Sequence, residues 1–132
     1  MTPAVVDTGV VSFLFKNDSR AQLYLPRMRN RDLLVSFMTE AELEQWILLA
    51  QWGADRARRF RVFMTGFASV PSSRDPIHHW AVAKVAARAN GCRIEAADAW
   101  IAATALLYEA ALITHNPKDY RGVPNLCVLS CT

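Results

Sequence analysis

The stretch from Ala96 to Thr114 reads AADAWIAATALLYEAALIT, and only Asp98 and Glu109 within it can carry charge. A helix that is apolar nearly all round has no face to give to water, so a helix over Glu95–Glu109 has to be buried among other elements. Asp98 then poses an electrostatic problem. A carboxylate in an apolar segment is costly unless it is protonated, paired with a cation or bound to a metal. The same puzzle recurs near the N-terminus, where Asp7 closes the apolar run Ala4-Val5-Val6 at the point where a buried strand would stop. Two acids at the edges of buried elements point to one shared cationic centre.

The remaining punctuation places both acids in an alternating pattern. Ala4–Val6 reads as a buried strand and Val10–Phe15 as a helix. Ser19 is placed to cap a second helix over Arg20–Arg29. Leu33–Phe37 (LLVSF) reads as a second strand. Thr39 with Glu42 three residues on fits a capping box for the next helix, whose apolar positions are Trp46, Ile47, Leu49 and Ala50. Ala54–Phe67 reads as a basic helix and Ala68–Val70 as a short strand. Asp75 is placed as an N-cap ahead of Pro76, with Asn90-Gly91 as the stop of that helix. Ala111–Thr114 is a clear strand, and Cys127–Leu129 is an edge strand. Short apolar strands alternating with helices imply an α/β sandwich around a mostly parallel sheet. At 132 residues this is one domain, residues 1–132.

In such folds functional groups collect at the carboxyl ends of the strands. Asp7, Thr39–Glu42 and His115–Asp119 follow strands directly and should share one edge of the sheet, and Asp98 joins them if its helix starts there. The candidates are therefore Asp7, Glu42, Asp98, and Asn116 or Asp119. Oxygen donors without His or Cys beside them favour a hard cation, Mg²⁺ or Mn²⁺. Clustered acids repel one another when no cation is bound, so such a site would depend on metal.

Taken together, VVDTG (Val5–Gly9), TEAEL (Thr39–Leu43), DAWIAATAL (Asp98–Leu106) and LITHNPKDY (Leu112–Tyr120) resemble, in order and separation, the PIN domain, and within it the VapC-like toxins of toxin–antitoxin modules. The resemblance spans nearly the whole chain. It implies a PIN-like α/β/α sandwich and a metal-dependent endoribonuclease, the toxin of a type II pair, cytoplasmic, held by a cognate antitoxin and paired as a homodimer. Asp7 matches the first acid of the family, Glu42 the glutamate of its AEL segment and Asp98 the aspartate opening its D-x-x-I-A-A helix. The fourth position is Asn116 or Asp119. The family carries Asp or Asn at the first and often an acid at the second. Asn116 is neutral and a weaker ligand, which leaves three firm carboxylates. The resemblance also implies that the Thr114 hydroxyl holds an acid or a water. Trp46, Trp52, Phe60 and Phe63 read for the most part as core packing, with a partner-binding surface beside the arginines as the alternative; the resemblance implies that their helical pair receives the antitoxin and helps form the dimer.

Each residue also has a plainer structural reading. Asp-Thr-Gly at Asp7 is good turn chemistry. Glu42 completes a capping box, and Asp98 suits a helix N-terminus. Asn116 and Asp119 shape the turn around Pro117. Glu95, one turn before Asp98, is a secondary site candidate, while Glu40 and Glu44 face other directions and read as solvent-exposed. His115 reads as a surface residue, and His78 and His79 as ordinary helix-start residues. Arg56, Arg58, Arg59 and Arg61 form the densest positive run, either a solvated helix face or a contact for RNA phosphates or an acidic partner.

Net charge of +3 is compatible with a phosphate-rich partner. An apolar content of 52% argues against disorder and hints at surface kept for a partner. Cys92, Cys127 and Cys131 form no zinc pattern and read as reduced packing cysteines. The N-terminus does not read as a signal peptide, and no charge-free run reaches the roughly 20 residues needed to span a bilayer. Two other classes fit less well. A phosphoacceptor signalling domain needs an early acidic pair and a late lysine after a strand, and a dehalogenase-like phosphatase needs a second Asp where Gly9 stands. Within the resemblance, the alternative is a PIN-like protein that binds RNA or a partner with weak or no cleavage.

Overall fold

The structure is a computed structural model describing residues 1–132. Five strands form one sheet: β1 (Thr2–Val6), β2 (Arg31–Ser36), β3 (Ala68–Val70), β4 (Ala111–Ile113) and β5 (Val128–Leu129). The order is β3-β2-β1-β4-β5, and every pairing is parallel. Helices α1 (Thr8–Lys16), α2 (Ala21–Met28), α3 (Phe37–Leu49), α4 (Ala54–Met64), α5 (Asp75–Ala89) and α6 (Ala96–Leu107), with a short 3₁₀ turn at Pro117–Tyr120, complete the chain.

The central strands are apolar without alternation because both faces are covered. On β1, Ala4 and Val6 enter one core with Val35 of β2 and Ile113 of β4, beneath α1–α4. Val5 turns to the other face and packs with Leu34 and Leu112 beneath α5 and α6. The Ala-rich α6 is the middle of that second layer, with Ala99, Ile101, Ala102, Ala103, Thr104 and Ala105 all buried. The α/β/α sandwich and its buried helix therefore stand as expected.

Several helix starts differ from the sequence reading. α3 begins at Phe37, capped by Ser36, whose Oγ accepts from Met38 N–H at 3.1 Å. Thr39 thus lies inside the helix, and the capping box with Glu42 does not form. Ser19 does not cap α2; the Asp18 carboxylate accepts from Arg20 N–H at 2.9 Å instead, and its carbonyl receives Ala21 N–H. Asp75 is already helical, with Arg74 at the cap position, while Asn90 and left-handed Gly91 (φ 71°) end α5 as read. On α3, Ile47 is buried but Leu49 is 75% exposed, because the helix ends there and its last turn has nothing to cover it.

Two features place the site. All five strands point the same way, so their carboxyl ends share one rim. In addition, the chain leaves β1 toward β2 and β3 on one side and returns to β4 on the other. The crevice at this reversal opens between the ends of β1 and β4, the usual place for a site in an open parallel sheet.

Candidate active site

Asp7 stands at that reversal. It continues β1, its N–H donating to Ile113 carbonyl at 2.9 Å, and it caps α1. Its carboxylate is buried and accepts from Thr8 N–H at 2.7 Å and from Thr114 Oγ1 at 2.6 Å. Thr114 follows β4 directly and is itself buried. Its hydroxyl also accepts Asn116 N–H at 3.0 Å, which fixes the loop after β4 to the acid. Burial nevertheless holds the Asp7 carboxyl above its ordinary pKa of 3.8, against the lowering by its hydrogen bonds, and the charge of Asp119 adds to the rise.

Glu42 reaches the same place from α3. Thr8 Oγ1 lies 2.8 Å from Glu42 Oε1 and 3.0 Å from Thr39 Oγ1. A hydroxyl has one proton, and a carboxylate is the stronger acceptor. Thr8 therefore donates to Glu42 and receives from Thr39, tying α1 to α3 through three consecutive oxygens.

Asp98 sits in the first turn of α6, half-buried. Tyr120 OH donates to its Oδ1 at 3.4 Å. Its pKa is pushed up to about 6, first by burial and then by the charges of Asp7, Asp119 and Glu42. Asp98 therefore feels the charge of each of the other three acids. Tyr120 is buried between them, and burial together with the charges of Asp7 and Asp98 keeps its phenol protonated. It is a fixed donor, not a base.

The other candidates sort clearly. Asp119 lies in the first turn of the 3₁₀ helix, exposed, and acts on the site through its charge. Asn116 is exposed and enters the network by its backbone N–H, not by its side chain. Glu95 is exposed at the cap of α6 and stays outside the network. Glu40 accepts from Ser69 Oγ at 2.9 Å, and Glu44 pairs with Arg61 at 2.9 Å, so both are engaged outside the network of Asp7, Glu42 and Asp98. His115 is not a surface residue. It is half-buried, its Nδ1 2.5 Å from Tyr24 OH, with its ring edge-on to Phe13. Thr8 and Tyr120 also hold the site together. Both stand within the VVDTG and LITHNPKDY segments, but a hydroxyl far along the chain from its partner leaves no periodic mark.

The donor set fits a hard divalent cation. The ion pairs of the molecule are Asp18–Arg20, Asp55 with Arg58 and Arg59, and Glu44–Arg61, and none neutralises Asp7, Glu42 or Asp98. Their oxygens face one rim, and no sulfur or imidazole competes. Three or more of these side chains are not gathered into a ready cage.

The PIN domain family matches residues 4–125. Ribonuclease VapC1 of Haemophilus influenzae is 29% identical over 126 residues, covering 92% of each chain. The structure of VapBC-1 from nontypeable Haemophilus influenzae aligns over 98% of both chains at 25% identity, with a TM-score of 0.82. The crystal structure of VapBC2 from Rickettsia felis bound to a DNA fragment from their promoter aligns with a TM-score of 0.87, covering 99% of this chain and 100% of that one. At 18% identity this last likeness speaks for the fold alone.

Proposed function

Because the chain belongs to the PIN-domain family, we propose that it is a divalent-metal-dependent endoribonuclease and the toxin of a type II toxin–antitoxin pair. One observation carries the reading. Three acids without an ion-pair partner come from three separate elements, Asp7 after β1, Glu42 on α3 and Asp98 on α6; Thr8 bonds Asp7 through its N–H and Glu42 through its hydroxyl, and Tyr120 OH reaches Asp98. Asp7, Glu42 and Asp98 would hold Mg²⁺ or Mn²⁺, with Asp119 or Asn116 as the outer fourth donor. When bound, such an ion polarises a phosphoryl oxygen and lowers the pKa of water.

The protein's own residues supply the rest. Thr114 and the Thr8 N–H hold both oxygens of Asp7, so its orientation is set before substrate arrives. Thr8 does the same for Glu42. One of the carboxylates of Asp7, Glu42 and Asp98, or a nearby acid, takes the proton of the attacking water. Tyr120 OH steadies the Asp98 carboxylate from the buried side. The substrate is RNA, cleaved by hydrolysis of a phosphodiester.

The partner is a cognate antitoxin. A cleft of about 730 Å³ between α1, α2, α4 and β2, walled by Leu14, Leu25, Met28, Leu33, Phe63 and Phe67, offers an apolar segment of such a partner a seat. Phe60 is buried and Trp46, Trp52 and Phe63 pack against the same core, so a second copy of the chain is better received by the outer side of α5, where Val82 and Val85 are exposed. No helix is long and apolar enough to cross a membrane.

The test is RNA cleavage by purified protein with Mg²⁺ or Mn²⁺, with EDTA, and with Asp7→Ala or Asp98→Asn. Cleavage that depends on the ion and disappears with either substitution is the expected result. Cleavage that survives both belongs to a different site and overturns the assignment.

A further inference from the structure

The positive run on α4 is mostly engaged within the protein. Arg58 and Arg59 pair with Asp55, Arg61 pairs with Glu44, and Arg56 lies 4.0 Å over the Trp52 ring. A second basic group has no acidic partner. Lys84 and Arg88 on α5 and Arg93 in the α5–α6 connection line a cleft of about 480 Å³ with Ile94, and none of the three forms an ion pair. Arg88 and Arg93 are exposed, while Lys84 is tethered, its Nζ donating to Ile94 carbonyl at 2.8 Å.

This cleft continues toward the acidic rim. Trp80, Lys84 and Arg88 are spaced four apart and so share one flank of α5, a different side from Val82 and Val85. Trp80 Nε1 donates to Ala96 carbonyl at 3.2 Å, at the first residue of α6. Its ring stacks on Trp100, with centroids 5.2 Å apart and planes at 27°, and Trp100 meets Phe37 edge-on at 5.3 Å. Asp98 and Trp100 both lie near the start of α6, and Phe37 opens α3 directly after the carboxyl end of β2, so the stacked rings stand at the end of the sheet where the acids lie. All three rings keep part of their surface open to solvent. Unpaired cations followed by stacked aromatics are what a single strand of nucleic acid requires, charge for its phosphates and π-faces for its bases.

We propose that the flank Arg93–Arg88–Lys84–Trp80–Trp100 is the track along which single-stranded RNA is held as it enters the acidic rim. This rests on the nuclease reading and adds the path of the substrate. Lys84, Arg88 and Arg93 bind backbone phosphates upstream or downstream of the scissile bond, and Trp80 and Trp100 take a base.

The experiment uses Asp98→Asn protein, expected not to cut RNA, and a fluorescein-labelled single-stranded RNA of about 12 nucleotides. Binding is followed by anisotropy across a salt series. Adding Lys84→Gln, Arg88→Gln and Arg93→Gln should flatten the slope of log K against log salt by about 2, and weaken binding on the order of 50-fold at physiological salt. Adding Arg56→Gln, Arg58→Gln and Arg59→Gln removes the same charge from α4 and should leave both nearly unchanged. Trp80→Leu should weaken binding at least about 5-fold with the slope intact, since stacking releases no counter-ions. Equal effects of the two charge triples would overturn the proposal by reducing it to net charge. A change in self-association by light scattering, with RNA binding intact, would overturn it by assigning the flank to a second copy of the chain. If unmodified protein neither binds nor cuts RNA, it is the nuclease reading that fails, a result separate from both of these.

Discussion

Asp98→Asn is expected to abolish catalysis and, without metal, to stabilise the fold. The Asp98 carboxyl has its pKa raised from 3.8 to about 6 by burial and by its acidic neighbours. A raised carboxyl pKa means that the folded state keeps a proton the unfolded chain has released. Stability is therefore highest from this source below about pH 4, falls as pH rises from about 4 to 6, and stays low above that. The gap corresponds to about 3 kcal/mol at 1.36 kcal/mol per pH unit. Asp98 is only half-buried, and solvent screening cuts that to about 1–1.5 kcal/mol. Asparagine has the shape of the protonated acid and carries no charge at any pH, so it escapes the penalty. In EDTA at pH 7.5, Asp98→Asn should melt about 3–5 °C above the unsubstituted protein, and the two should coincide near pH 4. Mg²⁺ should raise the melting temperature of the unsubstituted protein and leave the variant nearly unmoved, because the ligand that gains most from the ion is gone. The assay is a thermal melt by circular dichroism over pH 4–8, with EDTA and with Mg²⁺. A variant less stable than its parent at pH 7.5 in EDTA, or a difference independent of pH, would refute the argument that Asp98 is held at an electrostatic cost.

Thr114→Val removes one of the two hydrogen bonds recorded to buried Asp7. It should cost about 1–3 kcal/mol in urea unfolding and lower RNA cleavage about 10- to 100-fold, with Thr114→Ser restoring most of both. Ser36→Ala removes the cap of α3. It should cost about 1 kcal/mol in the same unfolding experiment. Gly122→Ala would bring a methyl group 2.7 Å from Cys92 Cβ and 2.9 Å from the Cys92 carbonyl. With backbone on one side it should destabilise by about 1–3 kcal/mol, seen as a shifted urea midpoint at unchanged slope.

The layers of the fold were legible because burial on both faces leaves a plain mark: Ala4-Val5-Val6 and Ala111-Leu112-Ile113 are apolar without alternation. Acids that break such runs were legible for the same reason, and Asp7 and Asp98 do share the rim. What could not be read was anything carried by one hydroxyl across a long sequence gap. Thr8 and Glu42 are 34 residues apart, and Tyr120 and Asp98 are 22 apart. A tyrosine after Asp119 reads equally well as core, and Tyr120 is in fact also part of the core beneath α5 and α6.

The mistaken cap of α3 is the most instructive miss, because it concerns whether Glu42 is available at all. In a capping box the glutamate turns back to the N–H of the cap residue, and the threonine hydroxyl is spent on the glutamate's own backbone N–H. Had Thr39 and Glu42 been used that way, neither side chain would reach Thr8. Ser36 ends β2 and caps α3 three residues earlier, which satisfies the helix start locally and puts Thr39 and Glu42 one turn inside it. Thr39 is then buried, with its hydroxyl on Thr8, and Glu42 turns to the rim. The structural and functional readings of this segment therefore exclude each other, and the serine decides between them. It follows that Ser36→Ala, which touches none of the acids, should loosen Glu42 if the helix start shifts toward Thr39. RNA cleavage by this variant should then fall by more than its unfolded fraction explains, whereas a loss that tracks the unfolded fraction alone would mean that the position of Glu42 does not depend on this cap.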